Sequence, residues 1–307
     1  MKKSVFARSF AILLISCIFC SILSGCGSSS KSSSSEPPVY SPLRVLVPET
    51  PGSDTLGSSP LTLDVSNITQ GYFAAQSDSA DLVTSLQITA PTGVLYSYFI
   101  EPGENAVIPF TEGDGDYTVV GYQQIQGDQY AALYSETLTV ELENEFLPFL
   151  YPNQYVNFSP DSEASKLALS MVSEDTSDID ALKQIYNYVV NNLSYDYDKA
   201  ETVETGYLPD VDETLSTKTG ICFDYAALTT AMLRSCDIPC KLQIGYTGDI
   251  KHAWIDVYIR SKGWVTNAVS FNGDSWSLMD PTFDSSADSD DSEAIQDYIG
   301  NADNYTV

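Results

Sequence analysis

Three residues in the C-terminal half have the types and spacing to do thiol chemistry: Cys222, His252 and Asp280. Cys222 follows Thr219-Gly220-Ile221 and opens a predicted helix, Phe223 to Arg234, rich in Ala, Leu and Met. A thiol at a helix N-terminus lies at the positive end of the helix dipole, which favours thiolate. Gly220 just before it permits a tight turn. His252 is the only histidine of the chain and comes 30 residues after Cys222. It opens His252-Ala253-Trp254-Ile255-Asp256-Val257-Tyr258-Ile259, whose period-two alternation predicts a strand. Ala253, Ile255, Val257 and Ile259 share the expected core face, and His252, Trp254, Asp256 and Tyr258 the more polar one. Asp280 follows His252 by 28 residues and ends the nearest downstream strand, which Pro281 stops.

In that order the three residues supply what a thiol nucleophile needs. His252, as imidazolium, would hold Cys222 as thiolate, and Asp280 would accept the far ring N–H and fix the tautomer. The Cys222 backbone N–H could donate to an oxyanion. Each residue alone also has an ordinary reading: a buried structural cysteine, a non-catalytic histidine, a turn aspartate before proline. A metal reading competes, because Cys222, Cys236, Cys240 and His252 have the composition of a Cys3His zinc set. Structural zinc favours tight paired spacings, and Cys222 would have to leave its helix start to join. Cys236 and Cys240 form either a local disulfide or, by default, two buried small residues. The expectation is a site with no metal and no cofactor.

The elements that must position these residues occupy the second of two regions, which 307 residues can accommodate. From 45 to 158 the pattern is strand and turn. Leu61, Leu63 and Val65 alternate with polar residues, as do Leu86 and Ile88, and Leu138, Val140 and Leu142. The turn Glu112-Gly113-Asp114-Gly115-Asp116 separates two further strand runs, Ala106 to Phe110 and Tyr117 to Tyr122. Short strands at this spacing predict a small antiparallel sandwich, whose many tyrosines are either a ligand face or strand packing. Phe146-Leu147-Pro148-Phe149-Leu150-Tyr151-Pro152 is too apolar for a free linker and reads as a docked connector. From 159 to 307 the pattern first turns helical. Ala164, Leu167, Ala168 and Met171 form one stripe after a Ser159-Pro160 start, and Ile179, Leu182, Ile185, Val189 and Leu193 form another. A loop through Tyr207-Leu208-Pro209-Asp210 then leads to Thr219.

Gly220-Ile221-Cys222-Phe223-Asp224-Tyr225-Ala226, Leu233-Arg234-Ser235-Cys236-Asp237-Ile238-Pro239, Ile244-Gly245-Tyr246, His252-Ala253-Trp254 and Asp280-Pro281-Thr282 together resemble the transglutaminase-like family, over residues 159 to 284. The resemblance implies an α+β, papain-like fold: a cysteine-bearing helix packed on an antiparallel sheet that carries His and Asp. Here a small all-β sandwich-like domain precedes it. The resemblance also implies the triad Cys222, His252 and Asp280. It places no side-chain oxyanion donor, and Tyr195 is a candidate for one by position only. The family usually has a glycine near Asp237, a departure that affects a turn. The function implied is acyl transfer from amide bonds through a thioester, as peptidase, amidase or transglutaminase, on a protein or peptide substrate. The alternative is a surface binding or structural module that retains the fold without catalysis.

The N-terminus reads as an export signal over residues 1–25: basic Lys2, Lys3 and Arg8, an apolar run from Phe10 to Leu23, then Leu23-Ser24-Gly25-Cys26. This resembles a bacterial lipobox with Cys26 as lipid acceptor, and an ordinary secretory signal is the alternative. Residues 26–44 form a Ser/Pro-rich linker. The expected location is the outer face of a bacterial cell membrane, lipid-anchored. The net charge of −28 argues against nucleic acid as a partner and suits a soluble extracellular body or a cationic substrate. The acidic run from Asp288 to Glu293 reads as a solvated loop rather than a calcium site.

Overall fold

The computed structural model describes residues 37, 43–204, 206–247, 250–271, 276–278 and 305–306. The signal segment, Cys26, Asp280 and the acidic run after it lie outside the described residues.

The first region contains β1 (Thr55–Ser58), β2 (Leu61–Asp64), β3 (Tyr72–Ser77), β4 (Thr84–Thr89), β5 (Leu95–Ile100), β6 (Asn105–Pro109), β7 (Gly115–Gln126) and β8 (Gln129–Val140). They pair antiparallel as two four-stranded sheets, β1-β2-β3-β6 and β5-β4-β7-β8. Alternate residues of both sheets, among them Leu61, Leu63, Phe73, Leu86, Ile88, Ile108, Val119 and Leu138, bury into one core. Tyr96, Tyr98 and Tyr117 belong to that core. The Tyr117 hydroxyl donates to the Gly113 carbonyl at 2.9 Å and accepts the Glu112 N–H at 3.1 Å, fastening the turn before β7. These three tyrosines pack the sandwich and form no ligand face.

The connector is docked, as its composition predicts. Phe146, Leu147, Phe149 and Leu150 are buried. Phe146 packs against Tyr258 with ring centroids 4.4 Å apart and planes tilted by 52°, and Phe149 meets Trp264 edge-on at 5.2 Å. The Lys241 ammonium lies 4.2 Å from the Trp264 ring centroid, adding a cation–π contact.

The second region runs α1 (Glu163–Met171), α2 (Asp178–Asn192), β9 (Ser194–Tyr195), α3 (Tyr197–Thr202), α4 (Val211–Thr217), β10 (Thr219–Gly220), α5 (Cys222–Ser235), β11 (Cys240–Thr247), β12 (Ile250–Ile259), β13 (Gly263–Phe271), β14 (Trp276–Leu278) and β15 (Tyr305–Thr306). The last five form an antiparallel sheet, β14-β13-β12-β11-β15. Helix α5 packs on it. Ala227, Leu228, Ala231 and Met232 share a core with Leu242, Ala253, Ile255, Val257 and Ile259. The architecture is thus α+β, a cysteine-bearing helix on an antiparallel sheet, preceded by an all-β sandwich.

Several local expectations need correction. Helix α1 starts after Ser162, not Ser159, and the Ser159 N–H donates to the Ser162 hydroxyl at 3.1 Å. The expected loop before Cys222 contains α4, and α3 precedes it. Their first turns are capped by Asp210 and Asp196, whose carboxylates accept the Glu213 and Lys199 N–H groups at 2.9 and 2.8 Å. The strand next to β12 is β13, so β14, which leads towards Asp280, joins the sheet one strand further out. The face of β12 expected to be polar is also covered: Trp254 is 3% exposed and Asp256 8%. Asp256 there accepts from the Gln243 amide at 2.9 Å.

Two arginines fix α5 and the turn after it. Arg234 is 1% exposed and donates from Nε and Nη2 to the Cys240 carbonyl at 3.0 and 2.8 Å. Its Nη1 reaches the Tyr151 carbonyl of the connector at 2.8 Å, so one side chain joins helix, sheet and connector. Asp237 sits at φ 60°, the left-handed conformation that explains the family's glycine near this position. Its carboxylate pairs with Arg260 at 2.8 Å, which compensates for the strain of a side chain there.

Candidate active site

The short parallel pair β9–β10 builds the approach to Cys222. Tyr195 lies opposite Gly220 in register, and the Asp196 N–H donates to the Gly220 carbonyl at 2.9 Å. Gly220 has a steric reason to be glycine. A Cβ there would stand 2.6 Å from the Asp224 Cβ, closer than side chains approach. Asp224, at the third helical position, accepts the Ile221 N–H at 2.8 Å, the return half of a capping box whose first half Ile221 cannot supply.

Cys222 opens α5, and its side chain meets two other elements. The thiol accepts the Phe223 N–H of its own first turn, the Ala253 N–H of β12 and the Tyr195 hydroxyl. The Cys222 N–H in turn donates to the Tyr195 oxygen. Tyr195 thus occupies the amide expected to serve an oxyanion: the amide donates to its oxygen while its hydroxyl donates to the sulfur. Burial raises the Tyr195 phenol to about 12, so it remains a donor through neutral pH.

His252 is the residue before Ala253, whose amide holds the thiol, and its ring stacks on Trp254 at 6.0 Å. Cysteine and histidine are therefore brought to adjoining positions on α5 and β12. Electrostatics among the described residues work against a standing ion pair. Burial pushes the Cys222 thiol up, outweighing the three hydrogen bonds that favour thiolate, and the Asp224 charge adds to the rise. Burial lowers the His252 imidazole to about 4. Both directions favour neutral forms, opposite to the expected thiolate–imidazolium pair. Asp280, the group assigned to stabilise the imidazolium, lies outside the described residues.

The rival metal set does not assemble. Cys222 begins α5 and Cys236 caps its far end, about 20 Å away at 1.5 Å per residue. Among the described residues no group of three His, Cys, Asp or Glu side chains converges as a ligand set. Cys236 and Cys240 are free and buried, and burial raises both thiols to about 12.

Behind Cys222 lies a cluster that spacing did not reveal. Asp224, fully buried, pairs with the Lys199 ammonium at 2.8 Å and accepts a short hydrogen bond from the Tyr207 hydroxyl. Lys199 also donates to that hydroxyl at 2.6 Å. The one legible sign was an acid in the first turn of a predicted helix; its partners come from α3 and the loop before α4.

Parts of this chain are similar to known proteins. The model of the transglutaminase-like superfamily matches residues 165–281. The UPF0252 protein of Methanocaldococcus jannaschii is 40% identical over 62 residues, covering 19% of this chain and 18% of its own. The uncharacterized protein YebA of Bacillus subtilis is 24% identical over 183 residues, covering 52% and 25%. The chain thus spans a quarter or less of the length of these curated relatives. Among solved structures, a Cytophaga hutchinsonii protein provisionally named a cysteine protease is 18% identical, with TM-score 0.35, over 64% of this chain and 73% of that one. Red sea bream transglutaminase is 12% identical, with TM-score 0.29, over 69% and 48%. Over residues 165–281 this chain is similar to the transglutaminase-like superfamily.

Proposed function

We propose that the protein is a thiol acyl-transfer enzyme. Cys222 attacks an amide carbonyl, His252 takes the thiol proton and passes it to the leaving amine, and Asp280 holds the imidazole and balances its charge. As the sulfur bonds to the carbonyl carbon, the Tyr195 hydroxyl turns from the sulfur to the oxyanion of the tetrahedral intermediate and frees the Cys222 N–H to donate there as well. Water or an amine then releases the thioester, giving hydrolysis or cross-linking. The observation that carries this reading is the Cys222 thiol at a helix start, held by the amide beside His252 and by a tyrosine hydroxyl, within the stretch similar to the transglutaminase-like superfamily. Site-resolved alkylation by iodoacetamide across pH tests it. Cys222 should react at neutral pH, well ahead of Cys236 and Cys240. A curve for Cys222 rising only near the free-thiol value of about 8.5 would contradict the activation.

The same reading places the enzyme outside the cell, tethered by a lipid on Cys26, with a protein or peptide substrate at the surface. It rests on the lipobox-like Leu23-Ser24-Gly25-Cys26 and the serine-rich spacer. Cys26→Ser should release the protein into the medium or leave the signal uncleaved. Correct processing with continued extraction into the membrane lipids would refute the anchor.

A further inference from the structure

Asp224 presents a physical problem. Its carboxylate is fully buried two positions after Cys222, where a second negative charge must form for the thiol to react. Like charges so close oppose ionisation, and the Asp224 charge does push the thiol up. The carboxylate has a structural role that keeps it there, since it caps the Ile221 N–H and packs against Gly220. A buried charge of this kind needs a counter-charge.

Lys199 is that counter-charge. It stands in α3, directly after β9, which carries Tyr195. Burial works against its ammonium, but the hydrogen bonds to Asp224 and Tyr207 outweigh this and hold it above the ordinary lysine range. Its ammonium also lies 4.4 Å from the Tyr207 ring centroid. The Asp196 cap binds the Lys199 N–H at 2.8 Å and so fixes Lys199 to the residue after Tyr195, while the Lys199 side chain ties that segment to the start of α5. Among the described residues, other titratable groups on the elements packed around Cys222 include Tyr195 on β9, whose ring lies against Tyr225 of α5, and His252 on β12; Tyr207 reaches it through Asp224.

We propose that Lys199 is a positioning residue for Cys222: it neutralises the buried Asp224 carboxylate and locks the strand bearing Tyr195 against the helix bearing the thiol. Tyr207 completes the cluster as donor to Asp224 and acceptor from Lys199. The inference rests on Cys222 as the reacting thiol. It assigns Lys199 no contact with substrate.

The test is the pH dependence of Cys222 alkylation in the wild type, Lys199→Met, Asp224→Asn and the double variant, with the melting temperature of each. Lys199→Met should move the Cys222 curve up by about 1–2 pH units and slow alkylation at neutral pH about 10- to 100-fold. The double variant should return the curve towards the wild-type position, because the uncompensated charge is gone although the tie is lost. A purely structural pair would lower the melting temperature and leave the curve unmoved. That result, or a double variant shifted as far as Lys199→Met, would overturn the proposal. Should Lys199→Met not fold, Lys199→Gln removes the charge while keeping hydrogen-bonding reach. A shifted curve then supports the proposal and an unmoved one refutes it. Failure of Cys222 to take up an acyl group, with the alkylation curve still dependent on Lys199, would instead refute the enzymatic reading and spare this one.

Discussion

Asp280→Asn is expected to slow Cys222 alkylation at neutral pH by about 10- to 1000-fold with little change in melting temperature. The magnitude follows from the surroundings of the other two residues. An ordinary thiol near 8.5 and an imidazole at about 4 leave roughly 4.5 units, about 6 kcal/mol, against the charged pair. Burial of the thiol widens that gap. Mutual attraction at contact distance returns about 4 kcal/mol at an effective dielectric of about 20. The deficit is what a carboxylate on the far ring nitrogen supplies, since an opposite charge in contact is worth about 1–3 units. An asparagine offers neither the charge nor a guaranteed acceptor, and the imidazole can settle in the wrong tautomer. The sign of the pH effect is then fixed. In Asp280→Asn the directions set by burial prevail, thiolate forms only above the ordinary thiol range, and the curve rises above pH 8 rather than below neutrality. If Asp280 only stabilises the turn before Pro281, the melting temperature will fall and the alkylation of folded protein will not change. That outcome would remove it from the site.

The parts of the fold that could be read from the sequence were those where one periodicity holds over a long run. Alternation at Leu61-Thr62-Leu63 and at Leu86-Gln87-Ile88 marked sandwich strands, because one face of each is buried and the other less so. The Ala- and Leu-rich run after Cys222 marked α5, which is buried on nearly every side. Short helices were missed for the converse reason. Helices α3 and α4 have 6 and 7 residues, too few to show an apolar stripe, and only Asp196 and Asp210 announced them as caps. Strand β13 carries no acid and no proline, so nothing of chemical interest marks it between His252 and the next acid before a proline.

The candidate site was legible as a set of residue types in order, and much less so as an environment. Nothing in spacing indicated that the Ala253 amide would hold the thiol, since every residue carries that donor. Tyr195 was reachable by position alone, and its hydroxyl is now placed against both the thiol and the amide of Cys222. The Lys199–Asp224–Tyr207 cluster draws on three segments separated in sequence and exists only once β9 and β10 have paired. Arg234 reads as the charged end of a helix yet is fully enclosed, satisfied by two backbone carbonyls from separate segments. Such long-range polar pairing leaves no periodic trace.

The larger loss is expected from Cys222→Ala, which should abolish acyl transfer, because no other described thiol can replace it. Cys236 and Cys240 are buried and held near 12, so neither supplies useful thiolate at neutral pH. Cys236 is moreover at the opposite end of α5. The most direct measurement is capture of the acyl-enzyme. The anchor-free protein is mixed with p-nitrophenyl acetate at neutral pH, quenched in acid, and its mass and modified residue determined. The account predicts a nitrophenolate burst approaching about one equivalent, one acetyl group on Cys222 as a thioester, and neither in Cys222→Ala. Acetylation confined to lysines, or a burst that persists undiminished in Cys222→Ala, would contradict the assignment of Cys222 as the nucleophile.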